Sequence, residues 1–103
     1  MKDAFKDADV VYPKSWASMN FFPPVTGAFD EQKQHELFDK HQDWICDEEM
    51  MKRAKRNALY MHCLPCDRGY EVTDAVADGP NSVIFDEAEN RLHIQKALLS
   101  LFL

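Results

Sequence analysis

Four residues with reactive side chains lie just after apolar segments of the chain. Lys14 follows the first segment, His62 and Cys63 follow the second, and Arg91 comes shortly after the third. In open α/β sheets, ligands bind outside the carboxyl ends of the strands. If the three segments are strands, the sequence predicts one site at their ends, with a thiol, an imidazole and two cations that suit an anionic ligand.

Cys63 and Cys66 form a C-x-x-C motif, a spacing found in dithiol redox sites and, when two pairs are present, in zinc sites. This chain has one pair, to which His62 could add a third ligand and Cys46 a fourth only through tertiary folding. Redox motifs of this type normally open a helix, and Pro65 does not look like such a start. No metal site is predicted, and a dithiol redox function stays as an alternative.

Arg91 follows several acidic residues at the start of the last predicted helix. Cations are disfavoured at helix amino termini, so an arginine placed there often has an anionic partner. The alternative is a surface arginine that pairs with Asp86 or Glu87 at little net gain. For Lys14 and Trp16 the corresponding alternatives are a solvated lysine and a packed tryptophan.

The composition is that of one small globular domain. The chain has 103 residues, 46% of them apolar, and a formal net charge of −6. The negative charge argues against a nucleic-acid or anionic-membrane surface, because binding to phosphates needs basic patches. No apolar run approaches the roughly 18 residues of a membrane span, and the start lacks the apolar core of a signal peptide. Three cysteines without framework spacing indicate reduced thiols and a cytoplasmic protein.

The elements predicted around these residues alternate between strands and helices. Strands are predicted at residues 9–12, 58–62 and 82–86. Helices are predicted at residues 2–7 (the end of a helix), 31–41, 48–55 and 88–102. Asp30 and Asp47 are predicted to cap the helices that follow them, and Thr73 is predicted to cap a helical turn. This order implies an α/β fold: a three-layer, partial Rossmann-like domain with a parallel sheet of about three strands and a long C-terminal helix.

Two features suggest that this domain is incomplete. Three strands are few for such a sheet, which usually has about four to six. The chain also begins on the end of a helix that leads directly into a strand. We therefore expect residues 1–103 to be the carboxyl-terminal part of a larger domain. Separately, the last turns of the final helix, at residues 98–102, are apolar nearly all round, which predicts cover on more than one side.

Four short segments together resemble a known enzyme superfamily. They are Asp9-Val10-Val11-Tyr12, Trp16-x-Ser18-Met19, His62-Cys63-Leu64-Pro65 and Glu87-Ala88-Glu89-Asn90-Arg91. In order and spacing they resemble the carboxyl-terminal half of the second, amino-acid-binding domain of the aspartate/ornithine carbamoyltransferases. The resemblance covers nearly all 103 residues, and the His-Cys-Leu-Pro and Glu-Asn-Arg words are its most specific parts.

The resemblance implies catalytic roles for three residues, His62, Cys63 and Arg91. The loop of His62, Cys63 and Leu64 would hold the carbamoyl group, partly through backbone carbonyls that accept hydrogen bonds from its NH₂. Cys63 would lie beside the attacking amine. Arg91 would contact the carbonyl oxygen of carbamoyl phosphate, where a cation stabilises the negative charge that develops during attack.

The resemblance also implies which residues bind the second substrate. Ser18 and Met19 match the loop that closes over the amino acid. Lys14 stands where ornithine enzymes have an aspartate that binds the free α-amino group. A lysine there would repel an ammonium group and attract a carboxylate or acyl oxygen. Together with Trp16, it makes this segment look more like the N-acetyl- and N-succinylornithine branch, and like relatives whose substrate is unassigned.

Other positions do not follow that branch in full. The acetylornithine pattern has an arginine where this chain has Asp67 and a lysine where it has Glu71, whereas Arg68 is retained and is a predicted substrate-binding residue. The acyl-ornithine branch has a knotted chain path near a proline-rich loop, and Pro23-Pro24 is suggestive of such a loop. The exact amine substrate and the presence of a knot are left open.

The resemblance implies carbamoyl transfer from carbamoyl phosphate to an ornithine-like or acyl-ornithine-like amine, without a cofactor, in a homotrimer when full length. The family's phosphate-binding Ser-x-Arg-Thr segment lies in the first domain, and these 103 residues do not contain it. We therefore expect the chain alone to be inactive. The alternative from another class is a non-catalytic binding or structural module that keeps the fold.

Overall fold

The computed structural model describes residues 1–13 and 30–103. The strands are β1 (Val10–Val11) and β2 (Leu59–Tyr60). The helices are a 3-10 helix (Lys2–Phe5), α1 (Glu31–Lys40), α2 (Glu48–Met51), α3 (Asp74–Ala77) and α4 (Ile84–Phe102). Lys14, Trp16, Ser18, Met19 and the Pro23-Pro24 loop lie outside the described residues.

The sheet is parallel, and β2 is at its centre. Val10 lies opposite Leu59 and Val11 opposite Tyr60, while Ser82 forms a parallel bridge on the other side of Tyr60. The three segments predicted as strands therefore run side by side in the same direction. Their carboxyl ends lie at one edge, as a site at the strand ends requires.

The third segment is a single bridge residue, so the predicted strand at 82–86 is wrong. Helix α4 begins at Ile84, four residues earlier than predicted. A short apolar run does not by itself distinguish a strand from a buried helix start, and Asp86 and Glu87 in the first turn suit the positive end of the helix dipole. Arg91 consequently lies about two turns into α4, where an argument from the helix terminus no longer applies.

Local capping signals set the other helix starts as predicted. The side chain of Asp30 accepts a hydrogen bond from the Lys33 N–H at 3.1 Å, and that of Asp47 accepts from Met50 N–H at 2.8 Å. Thr73 accepts from Val76 N–H at 3.4 Å. Helix α2 ends earlier than the predicted residue 55, because the backbone changes to i→i−3 hydrogen bonds after Lys52, at Arg53 and Ala54.

The core surrounds β2 and fixes the place where the strands end. Its buried members are Phe5, Val11, Cys46, Met50, Ala54, Ala58, Tyr60, Val72, Val76, Ala77 and Ile84. Cys46 connects the segment before α2 to the segment before α3, since its N–H donates to the Glu71 carbonyl at 2.7 Å and its carbonyl accepts from Thr73 N–H at 3.1 Å. Residues 71–73, which follow β2 in the chain, are therefore held against the core by two backbone hydrogen bonds to Cys46.

Helix α4 leaves this core after its first turns. The apolar side chains of its last turns, Leu98, Leu99, Leu101 and Phe102, are half or more exposed. Within the described residues nothing provides the cover that the sequence predicts for this helix. No helix in these ranges is both long and apolar enough to cross a membrane.

Candidate active site

The end of β2 and helix α4 meet at one point. The Arg91 Nη1 donates a hydrogen bond to the backbone carbonyl of Cys63, with 3.2 Å between nitrogen and oxygen. The two residues are 28 positions apart in the chain. The structure therefore brings together the two segments from which the sequence predicts one site, although the roles assigned to them remain predictions.

Tyr12, at the end of β1, completes this cluster. Its ring stacks on the His62 imidazole, with 6.1 Å between ring centroids and an interplanar angle of 20°. The pKa of Tyr12 is raised to about 12, first by interaction with the Cys63 side chain, then by loss of hydration and by the Glu87 carboxylate. The phenol is therefore protonated at neutral pH and available as a hydrogen-bond donor.

Sequence reasoning did not assign Tyr12 and Glu87 to the site. Both carried a weak signal. Tyr12 is the last residue of the predicted strand at 9–12, and Glu87 precedes Arg91 by four residues, one turn along the same helix. Their approach to Cys63 depends on tertiary packing, which the sequence alone does not display.

The His62 side chain points into the protein and is only 3% exposed. Its Nδ1 accepts a hydrogen bond from the Leu64 N–H at 2.9 Å, and its Nε2 lies 3.2 Å from Oε2 of Glu71. Because Nδ1 is an acceptor, the ring proton is on Nε2. In this conformation the His62 side chain is closed to solvent, and the catalytic role that the resemblance implies for His62 stays a prediction.

The loop after His62 has an unusual backbone. Leu64 has a φ of +55°, in the left-handed region that side chains other than glycine seldom adopt, and the Leu64–Pro65 peptide is cis. The left-handed conformation costs about 1–2 kcal/mol for an ordinary residue, so other contacts must hold it. The hydrogen bond from Leu64 N–H to His62 is one such contact.

The Arg68 guanidinium is engaged with helix α3. It contacts an Asp74 oxygen at 2.7 Å and both Asp78 oxygens at 2.6 and 2.7 Å. These bonds raise the pKa of Arg68 and hold that of Asp78 below its usual range. To bind a substrate, Arg68 would have to exchange or share these partners, so its substrate role stays a prediction.

We expect Arg68→Met to reduce stability at neutral pH more than in acid. Because Arg68 lowers the pKa of Asp78 in the folded state, the pair contributes fully above the ordinary aspartate pKa of about 3.9. The contribution is lost as the pH falls through the folded value. The urea midpoint of Arg68→Met should therefore lie below that of wild type at pH 7, and this difference should narrow steadily as the pH is lowered below 4, with Arg56→Met as control. A difference that does not change over this range would contradict the prediction.

The three thiols have different environments. Cys63 is exposed, Cys66 is half-buried and Cys46 is buried. Burial raises the pKa of Cys46 to about 12 and also raises that of Cys66. A raised pKa disfavours the thiolate on which dithiol exchange depends, which weakens the redox alternative. Among the described residues, no group of three or more His, Cys, Asp or Glu side chains could hold a metal ion.

We expect a maleimide to modify Cys63 well before Cys46 and Cys66 in the folded protein at pH 7.5. The thiolate is the reactive species, whereas Cys46 is buried and Cys66 half-buried, and both have raised pKa values. Peptide mass spectrometry after short exposures would give the order, and labelling in denaturant would show that all three can react. Modification of Cys66 at the rate of Cys63 would contradict the environments described above.

Residues 1–102 match the family described as aspartate/ornithine carbamoyltransferase, Asp/Orn binding domain. The chain belongs to this family. The ornithine carbamoyltransferase of Burkholderia lata is 48% identical over 101 residues, covering 98% of this chain and 30% of that protein. The carbamoyltransferase family and its α/β fold, expected from the sequence, are thereby confirmed.

Solved carbamoyltransferase structures have the same fold. The ornithine carbamoyltransferase of Pyrococcus furiosus superposes with a TM-score of 0.79 at 45% identity, over 97% of this chain and 29% of that chain. A mutant N-acetyl-L-ornithine transcarbamylase complexed with carbamyl phosphate and N-succinyl-L-norvaline gives a TM-score of 0.78 at 42% identity, over 99% and 29%. The chain thus spans about 30% of the length of the carbamoyltransferases that it matches.

Proposed function

We propose that this domain provides the amine-binding side of a carbamoyltransferase site. In this site a carbamoyl group passes from carbamoyl phosphate to the amine of an ornithine-like or acyl-ornithine-like amino acid. The observation that carries the proposal is the hydrogen bond of Arg91 to the Cys63 carbonyl at the strand ends, in a chain of this family. It places a cation beside the loop that would hold the carbamoyl group.

The proposed reaction is attack of the amine nitrogen on the carbonyl carbon. A C–N bond forms, the bond from that carbon to the phosphate oxygen breaks, and phosphate leaves with the proton that the amine loses. Negative charge builds on the carbonyl oxygen during attack, and a fixed cation there stabilises it. Arg91 uses one N–H on the Cys63 carbonyl and has further donors in the same plane for this oxygen.

The loop after β2 would orient the carbamoyl group. The side chain of Cys63 is exposed, and the backbone carbonyls of residues 62–64 would accept from the carbamoyl NH₂. Accepting groups on one side and the Arg91 cation on the other would fix the plane of the carbamoyl group. Such fixing converts a bimolecular step into an oriented one, which is a large share of enzymatic rate enhancement.

We further propose that the residues that bind phosphate lie in the segments that the relatives have in addition to the matched part. The matched proteins are about three times as long as this chain, which lacks a Ser-x-Arg-Thr segment. In this proposal residues 1–103 are the carboxyl-terminal part of the amino-acid-binding domain of a cytoplasmic homotrimer. By the full-length protein we mean residues 1–103 together with the further segments that its relatives have. It can be prepared as a chimera in which residues 1–103 replace the matching segment of the Burkholderia lata enzyme.

The proposed function is tested by incubating the full-length protein with carbamoyl phosphate and a panel of amines. The panel contains ornithine, N-acetylornithine, N-succinylornithine and a simple diamine. We expect a ureido product and inorganic phosphate in equal amounts with at least one ornithine-like amine. Phosphate release at the rate of spontaneous decay with every amine would favour the non-catalytic module instead.

Lys14 is the residue on which the choice between free and acylated ornithine depends. We expect Lys14→Asp to shift the full-length protein's preference toward amines with a free ammonium group. The substitution replaces an attractive charge with a repulsive one for an acyl or carboxylate oxygen, and specificity follows that difference. Relative kcat/KM for ornithine and N-acetylornithine measures the shift, with Lys2→Asp as a matched control. Identical profiles for wild type and variant would remove the support for an acylated substrate.

A further inference from the structure

A buried acid, Glu71, holds the His62 side chain. Glu71 is 2% exposed and His62 is 3% exposed. The Oε2 atom of Glu71 lies 3.2 Å from His62 Nε2 and accepts a hydrogen bond from Asp67 N–H at 3.1 Å. One carboxyl oxygen thus binds both a side chain and a backbone amide of the loop that follows β2.

The backbone of Glu71 is itself fixed. Its N–H donates to the Asp67 carbonyl at 2.8 Å, and its carbonyl accepts from the N–H of buried Cys46 at 2.7 Å. The carboxyl group therefore extends from a point anchored in the core. An anchored acceptor can determine the position of the group that donates to it.

The contacts continue from Glu71 to Arg91. The Glu71 carboxylate lies 3.2 Å from Nε2 of His62 and faces that side of the ring, while the other ring nitrogen, Nδ1, accepts a hydrogen bond from Leu64 N–H at 2.9 Å. That bond holds Leu64 in its left-handed conformation. The carbonyl immediately before Leu64 is that of Cys63, which Arg91 contacts at 3.2 Å.

The folding stability of the domain does not explain why the carboxyl group of Glu71 is buried. Burying a carboxyl group is costly unless its oxygens are hydrogen-bonded, and Oε1 of Glu71 has no hydrogen-bond partner among the described residues. An apolar residue of similar size would avoid that cost, but it could neither accept from Asp67 N–H nor place a carboxylate oxygen beside the His62 ring. The geometry of the loop is what the carboxyl group provides.

We propose that Glu71 is a positioning residue of the transferase site. It acts through the His62 imidazole to hold the backbone of Cys63 and Leu64 where Arg91 meets it. The inference rests on the proposed function, since positioning matters only if this loop holds the carbamoyl group. Glu71 and His62 do not need to touch the reacting atoms.

Three variants of the full-length protein test this by their kinetics. Glu71→Gln keeps the shape and one acceptor oxygen, so its kcat should stay within about fivefold of wild type. Glu71→Leu removes the acceptor at similar volume and should lower kcat about 10- to 100-fold, with a smaller change in KM, because a displacement of about 1 Å can cost this much. Glu71→Asp shortens the side chain and should fall between them. Glu49→Leu, on the surface, is the control.

The state of the His62 ring gives a readout that does not depend on activity. In ¹⁵N spectra of the 103-residue chain, His62 should be the neutral Nε2–H tautomer in wild type and Glu71→Gln, and should lose that tautomer in Glu71→Leu. If Glu71→Leu does not fold, Glu71→Asp replaces it in both measurements. Wild-type kcat in a folded variant whose His62 tautomer has changed would overturn the proposal.

A failure of the proposed function would give different results from a failure of the positioning role. If the full-length wild type transfers no carbamoyl group while His62 keeps its tautomer, the contacts are as described, but they position no transferase site. Turnover could also fall equally in Glu71→Gln and Glu71→Leu while His62 keeps its tautomer in Glu71→Gln. In that case the charge of Glu71 matters rather than its acceptor geometry, and the positioning role is wrong. Retained turnover in Glu71→Gln with loss in Glu71→Leu supports it.

Discussion

Replacing Arg91 with alanine in the full-length protein should lower turnover by about two to three orders of magnitude, which is the usual loss for one donor to a developing oxyanion. The loss should appear in kcat and in kcat/KM alike, because the interaction is made mainly in the transition state. Folding should change little, since Arg91 is exposed and its hydrogen bond to the Cys63 carbonyl is, within residues 1–13 and 30–103, the link of its side chain to the rest of the domain. Steady-state kinetics and thermal unfolding measure both quantities.

A matched arginine controls for a general loss of charge. Arg56 is also exposed and lies before β2, at the opposite end of that strand from Cys63. Arg56→Ala should leave turnover unchanged. An Arg91→Ala protein that unfolds while its folded fraction keeps wild-type specific activity would make Arg91 a structural residue.

The 103-residue chain alone should form no detectable carbamoylated amine, whereas the full-length protein should. The chain spans about 30% of the length of its relatives and contains no Ser-x-Arg-Thr segment for the phosphate. Catalysis depends on binding the transition state more tightly than the substrates, and the leaving phosphate carries much of its charge. Labelled carbamoyl phosphate with ornithine and N-acetylornithine provides a sensitive assay. Labelled ureido product from the chain by itself, above spontaneous background, would contradict this division of the site.

The sequence predicted best those features that depend on neighbouring residues. Asp30, Asp47 and Thr73 each cap a helix, because a cap needs only a side-chain oxygen and the N–H groups that follow it. The predicted start of α4 was wrong because the apolar run at 82–85 fits a strand and a buried helix start equally well. Burial of Ile84 against the core decides between them, and that is a tertiary contact.

The same distinction applies to the site. The approach of Arg91 to Cys63 was expected because parallel strand ends share one edge of a sheet. The pairing of His62 with Glu71 could not be read from a spacing of nine residues. It depends on a loop in which Leu64 turns left-handed and brings Glu71 back under the end of β2. In the sequence Glu71 stood out only as a departure from the acetylornithine pattern, and the fold buries it beside His62.

The most direct test of the account is a crystal structure of the full-length protein with carbamoyl phosphate and an unreactive amino-acid analogue. We expect the carbamoyl carbonyl oxygen within hydrogen-bond distance of the Arg91 guanidinium. We also expect the carbamoyl NH₂ against the backbone carbonyls of residues 62–64, with the His62 side chain still beside Glu71. Carbamoyl phosphate bound with its carbamoyl group away from this loop, or with Arg91 making no contact to it, would contradict the central claim.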